Sequence, residues 1–499
     1  MEVAFSALVG ELAQRSISFF IDRLSKPEKL AMPTEETLRR KLLRVHVVVE
    51  EAEGRQITSR SMLEQLKLLR EAMYRGYFVL DSFKYRSCQE PESNKEDNDG
   101  DIGVTRSFAL SKINSAKRVQ LLLGRSSRGA IGEDDLRRVL LRLDAIITDT
   151  GEFASFLAGY PRLRRQPHDT YMLLERCMFG RHVEMEHIIN FLLQRGTGDL
   201  EVLPIVGPSK AGKSTLIEHA CNDERVRRAF SRIVFFTEDD LGDEEGGTIK
   251  HESRRRALKD CKILVILELE GDIDDDAWRK SYAASKSYPA GDRRMIISSR
   301  SDKIARFGTA QALRVRFLTP EAYWYFFKAL AFGSTNPEAE PKLASLAMEI
   351  AADLNGSFVV GNIIASLLRA NFSAKFWRMA MSTVRECRRR YPFMFGALAL
   401  PVSPWQLAEQ AQFPLIGTTG QCLSMSNDRQ IVSTGVEAPL IKMRDVMTGS
   451  VVLPDGKFEA LAWKSTIPPY YSYTFTCEMQ KPRPVPVRKK RVYDLTFNC

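Results

Sequence analysis

At 499 residues, 44% of them hydrophobic and 27% charged, the chain is too long for one compact core and has the composition of a globular protein of several domains. Its longest apolar runs, such as "ILVIL" at 263–267, are far shorter than a bilayer requires, and the opening "MEVAFSALVGELAQRSISFF" is broken by Glu11, Gln14 and Arg15, which argues against a signal peptide. Eight cysteines with no CxxC argue against zinc and against a disulfide framework, and favour a reducing cytoplasmic or nuclear interior.

The first 85 residues carry helical periodicity. Phe5, Leu8 and Leu12 share one face, Leu38, Leu42, Val45 and Val49 step as a heptad seam, and Leu66, Leu69, Met73, Tyr77 and Leu80 repeat the pattern. An acidic stretch, "QEPESNKEDNDGD" at 89–101, reads as a loop, and a further amphipathic segment runs from Leu136 to Ile147. Together these predict a four-helix bundle over 1–158, followed by a linker at 159–172 marked by "GYPRLRRQPHD". Over 173–332 the pattern changes. Short continuous apolar runs, "VLPIV", "RIVFF", "KILVIL" and "RRMIIS", alternate with helical stretches, which predicts a parallel sheet covered by helices on both faces. Residues 333–390 are helical again. The region 391–499, rich in Pro and Gly with strand-like pieces such as "YYSYTFTC", is the least regular.

The net charge of +10 is uneven: "KPRPVPVRKKRV" at 481–492 carries six Lys/Arg. Such a tail reads either as a nuclear address or phosphate-binding patch, or as a solvated tail that aids solubility.

Residues 207–214 fit G-x-x-x-x-G-K-[ST], between a plausible buried strand and a plausible helix. The alternative is a structural glycine turn. In the phosphate-loop reading Gly207, Pro208, Ser209, Lys210, Ala211 and Gly212 wrap the backbone around phosphates, and Lys213 reaches the β- and γ-phosphates. Ser214 offers its hydroxyl to magnesium, and Thr215 continues into a helix whose N-terminus adds partial positive charge.

"FGRHVEMEHIINFLL" (179–193), the phosphate loop, "FSRIVFF", "CKILVILELE", "DRRMIISSR" and "RFLTPEAYWYFFKALAFG" follow one another in an order that resembles the NB-ARC domain of plant intracellular immune receptors. The N-terminal bundle resembles the Rx-type coiled-coil domain of the same receptors. There "MYRGYFVLDSFKYR" stands in the place of an acidic EDVID-like helix, with Asp81 as its surviving acid and Tyr77 and Phe78 in two acidic places. The resemblance covers roughly residues 1–390. Neither a winged-helix segment with an MHD motif nor leucine-rich repeats are visible, as in a truncated member. It implies a multidomain α and α/β protein: a helical bundle, a P-loop NTPase sheet, a helical ARC-like segment and an irregular C-terminal region.

The resemblance further implies an ADP/ATP-binding switch in defence, with Mg2+, acting through protein partners. These would be other receptors of the family or a second copy, met through the N-terminal helices. The family's paired aspartates align with Glu268 and Leu269: Glu268 can serve the metal, whereas leucine cannot orient water, although a slid register would offer Glu270. Arg300 matches the sensor arginine, and Phe358 replaces the proline that packs near adenine, where it could stack on the base or fill its pocket. The expectation is nucleotide binding with little turnover and no catalytic residue. A nucleotide-free scaffold and an active ATPase are the alternatives, and nucleic-acid binding through the tail is disfavoured. The implied location is cytoplasmic, nuclear or peripheral to the plasma membrane, with membrane insertion of the first helix, Glu11 lining its lumen, not favoured.

Overall fold

The computed structural model describes residues 34–85, 133–162, 178–194, 199–209, 211–238, 262–286, 293–390, 411–414, 422–431, 441–467 and 470–480. The expected first helix, most of the linker, Lys210 and the basic tail lie outside the described residues.

Among the described residues, three long helices make up the N-terminal bundle: α1 (Thr34–Glu53), α2 (Arg60–Tyr85) and α3 (Glu133–Ala158). The heptad seam behaves as its spacing requires, with Leu38, Leu42, Val45 and Val49 all buried against Leu63, Leu66, Met73, Leu136 and Leu143. The bundle is not a separate body. Tyr74 and Tyr77 of α2 pack against Phe179 and Tyr325 at ring separations of 5.3–5.6 Å. Asp81, the surviving acid, accepts from Trp324 Nε1 at 2.8 Å and pairs with Lys328 Nζ.

The central unit is a five-stranded, all-parallel sheet in the order β2-β3-β4-β1-β5. Its strands are β1 (Glu201–Val206), β2 (Arg232–Thr237), β3 (Ile263–Glu268), β4 (Arg293–Ser299) and β5 (Leu313–Arg314). Continuous apolar runs form the inner strands because both faces are covered. On one face Leu203, Ile205, Leu264, Ile266 and Ile296 meet α4 (His182–Leu193), α5 (Lys213–Cys221) and α6 (Glu224–Ala229). On the other, Val202, Val265, Leu267, Met295 and Ile297 meet Trp278 of α7 (Asp275–Lys286) and Ile304.

A second helical core follows: α8 (Pro320–Phe332), α9 (Pro341–Leu354), α10 (Phe358–Ala370) and α11 (Ala374–Arg390). α8 packs with α9 and α10 and equally with α2 of the bundle, and its Trp324 and Phe327 share a core with Ile350, Leu368 and Trp377. The C-terminal region contains a four-stranded antiparallel sheet, order β6-β7-β9-β8: β6 (Ala411–Pro414), β7 (Cys422–Ile431), β8 (Lys457–Lys464) and β9 (Ser472–Gln480). The short α12 (Met443–Met447) precedes β8. Leu423, Val446, Phe458, Phe475 and Cys477 enter the same core as the helices, so this sheet is part of that unit. The strand-like "YYSYTFTC" is the start of β9.

Candidate functional site

β1 lies between β4 and β5, and its chain leaves the sheet directly into the loop at 207–212 and then α5. A βαβ layout therefore puts the helix N-terminus at the carboxyl ends of the strands, where backbone amides and the helix dipole favour an anion. Gly207 is required by close approach: a Cβ there would lie 2.1 Å from the Val315 carbonyl oxygen, whose residue donates its own amide to Val206 O at 2.8 Å. Gly212, the N-cap of α5, has φ +89, a backbone conformation glycine adopts without cost.

Lys213 Nζ donates to the carbonyls of Gly207 at 2.8 Å and Pro208 at 3.0 Å. Burial pushes its ammonium down to about 8; the Glu268 carboxylate opposes that shift and Arg300 adds to it. The Ser214 hydroxyl stands close enough to Glu268 to favour its charged form. Burial raises the Glu268 carboxyl above its ordinary range, while Ser214 and Lys213 pull the other way. Its Oε1 is buried without a hydrogen-bond partner among the described residues. A buried carboxylate oxygen with spare lone pairs beside a serine hydroxyl suits a hard cation such as magnesium, so the donor set fits that group. The structure thus brings Lys213, Ser214 and Glu268 together. Thr215 follows in α5, and Ala211 is fully buried.

Leu269 goes elsewhere. Strand alternation turns it to the α7 face, where it is 7% exposed among the core residues. Glu270 lies past the end of β3 with its side chain 79% exposed, and Arg300 pairs with its carboxylate at 3.4 Å while donating to its carbonyl. Arg300 is therefore at the rim of the site, tied to Glu270. Phe358 meets Phe326 edge-on at 5.3 Å, and the Arg181 guanidinium stands 5.9 Å from its ring centroid.

The roles of two residues escaped the sequence reading. Arg181, within the lead-in segment, is buried and donates to the Ala211 carbonyl at 3.2 Å and to that of Arg316. Its sequence signal is the lead-in motif formed with Gly180 and Glu184, which does not by itself say that the side chain reaches the loop. Tyr471, at the foot of β9, bonds to Glu218 of α5, so the C-terminal sheet touches the helix that follows the glycine-bounded loop. Nothing local to either residue could have announced that contact. Among the described residues there is no helix long and apolar enough to cross a membrane, and no cluster of three or more His, Cys, Asp or Glu that could hold a metal.

The Rx N-terminal domain family matches residues 18–115. Over most of its length the chain is similar to plant disease-resistance proteins. Against RGA2 of Solanum bulbocastanum it is 22% identical over 355 residues, covering 67% of this chain and 34% of the relative. Against RGA1 of the same plant it is 22% identical over 354 residues, with the same shares. Against RPP13-like protein 1 of Arabidopsis thaliana it is 23% identical over 413 residues, 77% of this chain and 37% of the relative. The chain thus spans about a third of the length of the curated relatives it matches. Among solved structures, the structure of Drosophila ORC bound to DNA aligns at 10% identity and a TM-score of 0.25 over 48% of this chain and 67% of that one, too low to carry an argument.

Proposed function

We propose that this protein is an ADP- or ATP-binding switch or adaptor of the plant defence response, holding nucleotide with little or no turnover and acting through protein contacts. The observation that carries this reading is the meeting of Lys213, Ser214 and Glu268 below a glycine-bounded loop, while Leu269 is turned into the core. In this reading the backbone from Gly207 to Gly212 accepts the phosphates. Lys213 leaves the carbonyls of Gly207 and Pro208 to meet them, and Ser214 and Glu268 hold magnesium. When bound, magnesium would neutralise phosphate charge. Turnover needs a second carboxylate that orients water. Leu269 offers none, and the carboxylate of Glu270 is engaged by Arg300 at the solvent rim. Arg300 there reports the state of the site's edge.

The resistance-protein relatives favour protein partners: other receptors of the same kind, or a second copy, met through the N-terminal helices. A cytoplasmic, nuclear or membrane-peripheral location accords with that role. The test is to purify the chain without added nucleotide, denature it and quantify what is released. Near-stoichiometric ADP or ATP, lost in Lys213→Ala, is the expected result. Well-folded protein that releases none and takes none up would leave a helical scaffold as the working description, and steady ATP hydrolysis abolished by Lys213→Ala would make it an ATPase.

A further inference from the structure

We propose that Arg70 of α2 is a positioning residue for the phosphate loop: through Gly180 and Glu184 it holds Arg181, and Arg181 holds Ala211, so that docking of the N-terminal bundle and the shape of the loop are coupled. The contacts form a continuous series. Arg70 Nη2 donates to the Gly180 carbonyl at 2.9 Å, and the guanidinium lies 4.0 Å from Glu184 and 3.6 Å from Glu53. Arg181 Nη1 lies 3.5 Å from the other oxygen of Glu184, and Nη2 donates to Ala211 within the loop at 3.2 Å. The side chains of Arg70, Arg181 and Glu184 are only 6%, 4% and 14% exposed.

This is a costly arrangement. Two buried guanidiniums share one carboxylate at distances longer than good charge-assisted hydrogen bonds, and Arg70 Nη1, Arg181 Nε and Glu184 Oε2 have no hydrogen-bond partner among the described residues. Buried charges with incomplete partners cost several kcal/mol each, on the order of what a domain's whole margin can absorb, so the surrounding packing must hold them in place. Gly180 makes that hold rigid. Its φ is +70 and a Cβ would stand 2.9 Å from Leu318 Cδ2, so the turn that carries Arg181 has one backbone path, fixed from the bundle side by Arg70. The Asp81 tie to Trp324 and Lys328 ends on α8, those of Arg39 and Lys84 end on Glu338, and Asn190 of α4 donates to the Ile57 carbonyl; none of these touches the loop.

Removing Arg70 leaves the Gly180 carbonyl without that donor and lets Arg181 move off Ala211. Coupling of this kind is reciprocal: a loop reshaped by a phosphate ligand must also change how the bundle is held. The test reads amide hydrogen exchange over 207–221 in the full chain without nucleotide, in wild type, Arg70→Met, Glu184→Gln and the double variant. The expected result is exchange faster by about fivefold or more in each single variant, the lower end of usual coupling between linked sites. The double variant should be no faster than the faster single, because the two residues act in one series. Val45→Ala, which loosens the bundle core without touching the series, leaves 207–221 at the wild-type rate. Unchanged exchange in folded Arg70→Met, or equal acceleration in Val45→Ala, overturns the proposal.

Should Arg70→Met fail to fold, Arg70→Lys keeps the charge beside Glu184 but loses the fork that reaches Gly180. Intermediate acceleration there supports the coupling, and a wild-type rate overturns it. A second readout, the dissociation constant for a fluorescent ADP analogue, rests on the nucleotide-binding reading and is expected to weaken by a similar factor in Arg70→Met. A wild-type chain that binds no analogue removes that reading, while the exchange experiment, which needs no ligand, still decides the coupling.

Discussion

Glu268 and Leu269 are neighbours in the chain and strangers in space. Because side chains alternate across a strand, Glu268 turns to the α5 face beside Ser214, and Leu269 turns to the α7 face among Val265, Leu267 and Trp278. Restoring an acid at 269 therefore does not restore a water-orienting group. Leu269→Asp is expected to lower stability by about 3 kcal/mol or more, since an unpaired carboxylate would be buried in an apolar cluster. It is expected to leave ATP turnover at its starting level. Chemical denaturation and a phosphate-release assay on the same preparation check both halves, and a gain in turnover would mean that the strand can shift register. Alternation alone would return Glu270, two residues on, to the Glu268 face, but β3 has ended and its side chain stands in solvent with Arg300.

At the scale of elements, α4 is in contact with both the bundle and the sheet. It follows the turn at Gly180, carries Glu184 toward α2 and packs Ile188, Ile189 and Leu192 onto the sheet. His187 lies on its half-buried side, facing Arg60 and Glu64 of α2 and Glu184 of its own helix. Burial first, and Arg60 second, hold its imidazole below the ordinary value of 6.5, with Glu64 and Glu184 opposing. The unfolded chain therefore binds this proton more readily than the folded one. The stability at issue is fully present above about 6.5 and is lost as the pH falls through the lower folded value. The melting temperature is expected to drop between pH 7 and pH 5, and to drop less in His187→Gln over the same interval. Equal slopes would remove His187 from the account.

For the whole molecule, three cores meet around the glycine-bounded loop at 207–212, joined by the packing of Tyr74 and Tyr77 on Phe179 and Tyr325 and by a set of polar ties. Asp81 joins the bundle to α8, the Arg70 series joins it to the loop, and Tyr471 joins the C-terminal sheet to α5 through Glu218. Asp81→Ala leaves the partly buried Lys328 and the Trp324 N–H without their acceptor. It is expected to cost about 3 kcal/mol, by analogy with breaking one half of a buried pair, and to open α2 to proteolysis before the sheet. Tyr471→Phe keeps the ring and loses one hydrogen bond. It is expected to cost about 1 kcal/mol and to raise exchange selectively in α5 and β9. A global change in exchange, spread evenly over all three cores, would contradict the idea that these ties are separate.

The sequence by itself was enough for whatever depends on local order. The heptad seam of α1, the four apolar strands, the glycine-bounded turn at 207–212 and the helical stretch that follows the sheet are legible because periodicity and glycine spacing are properties of neighbouring residues. The order of motifs pointed to the same relatives that the comparisons return. The antiparallel sheet was seen only as strand-like pieces, since its pairing joins residues such as Leu423 and Met479 that lie far apart in the chain. Only the tertiary structure decided that Leu269 is core and Glu270 is rim, that Phe358 packs against Phe326, that Arg181 braces the loop, and that the C-terminal sheet belongs to the α8–α11 core. Each of these is a choice of which distant surface a side chain meets. Burial, unlike periodicity, is a property of the packed whole.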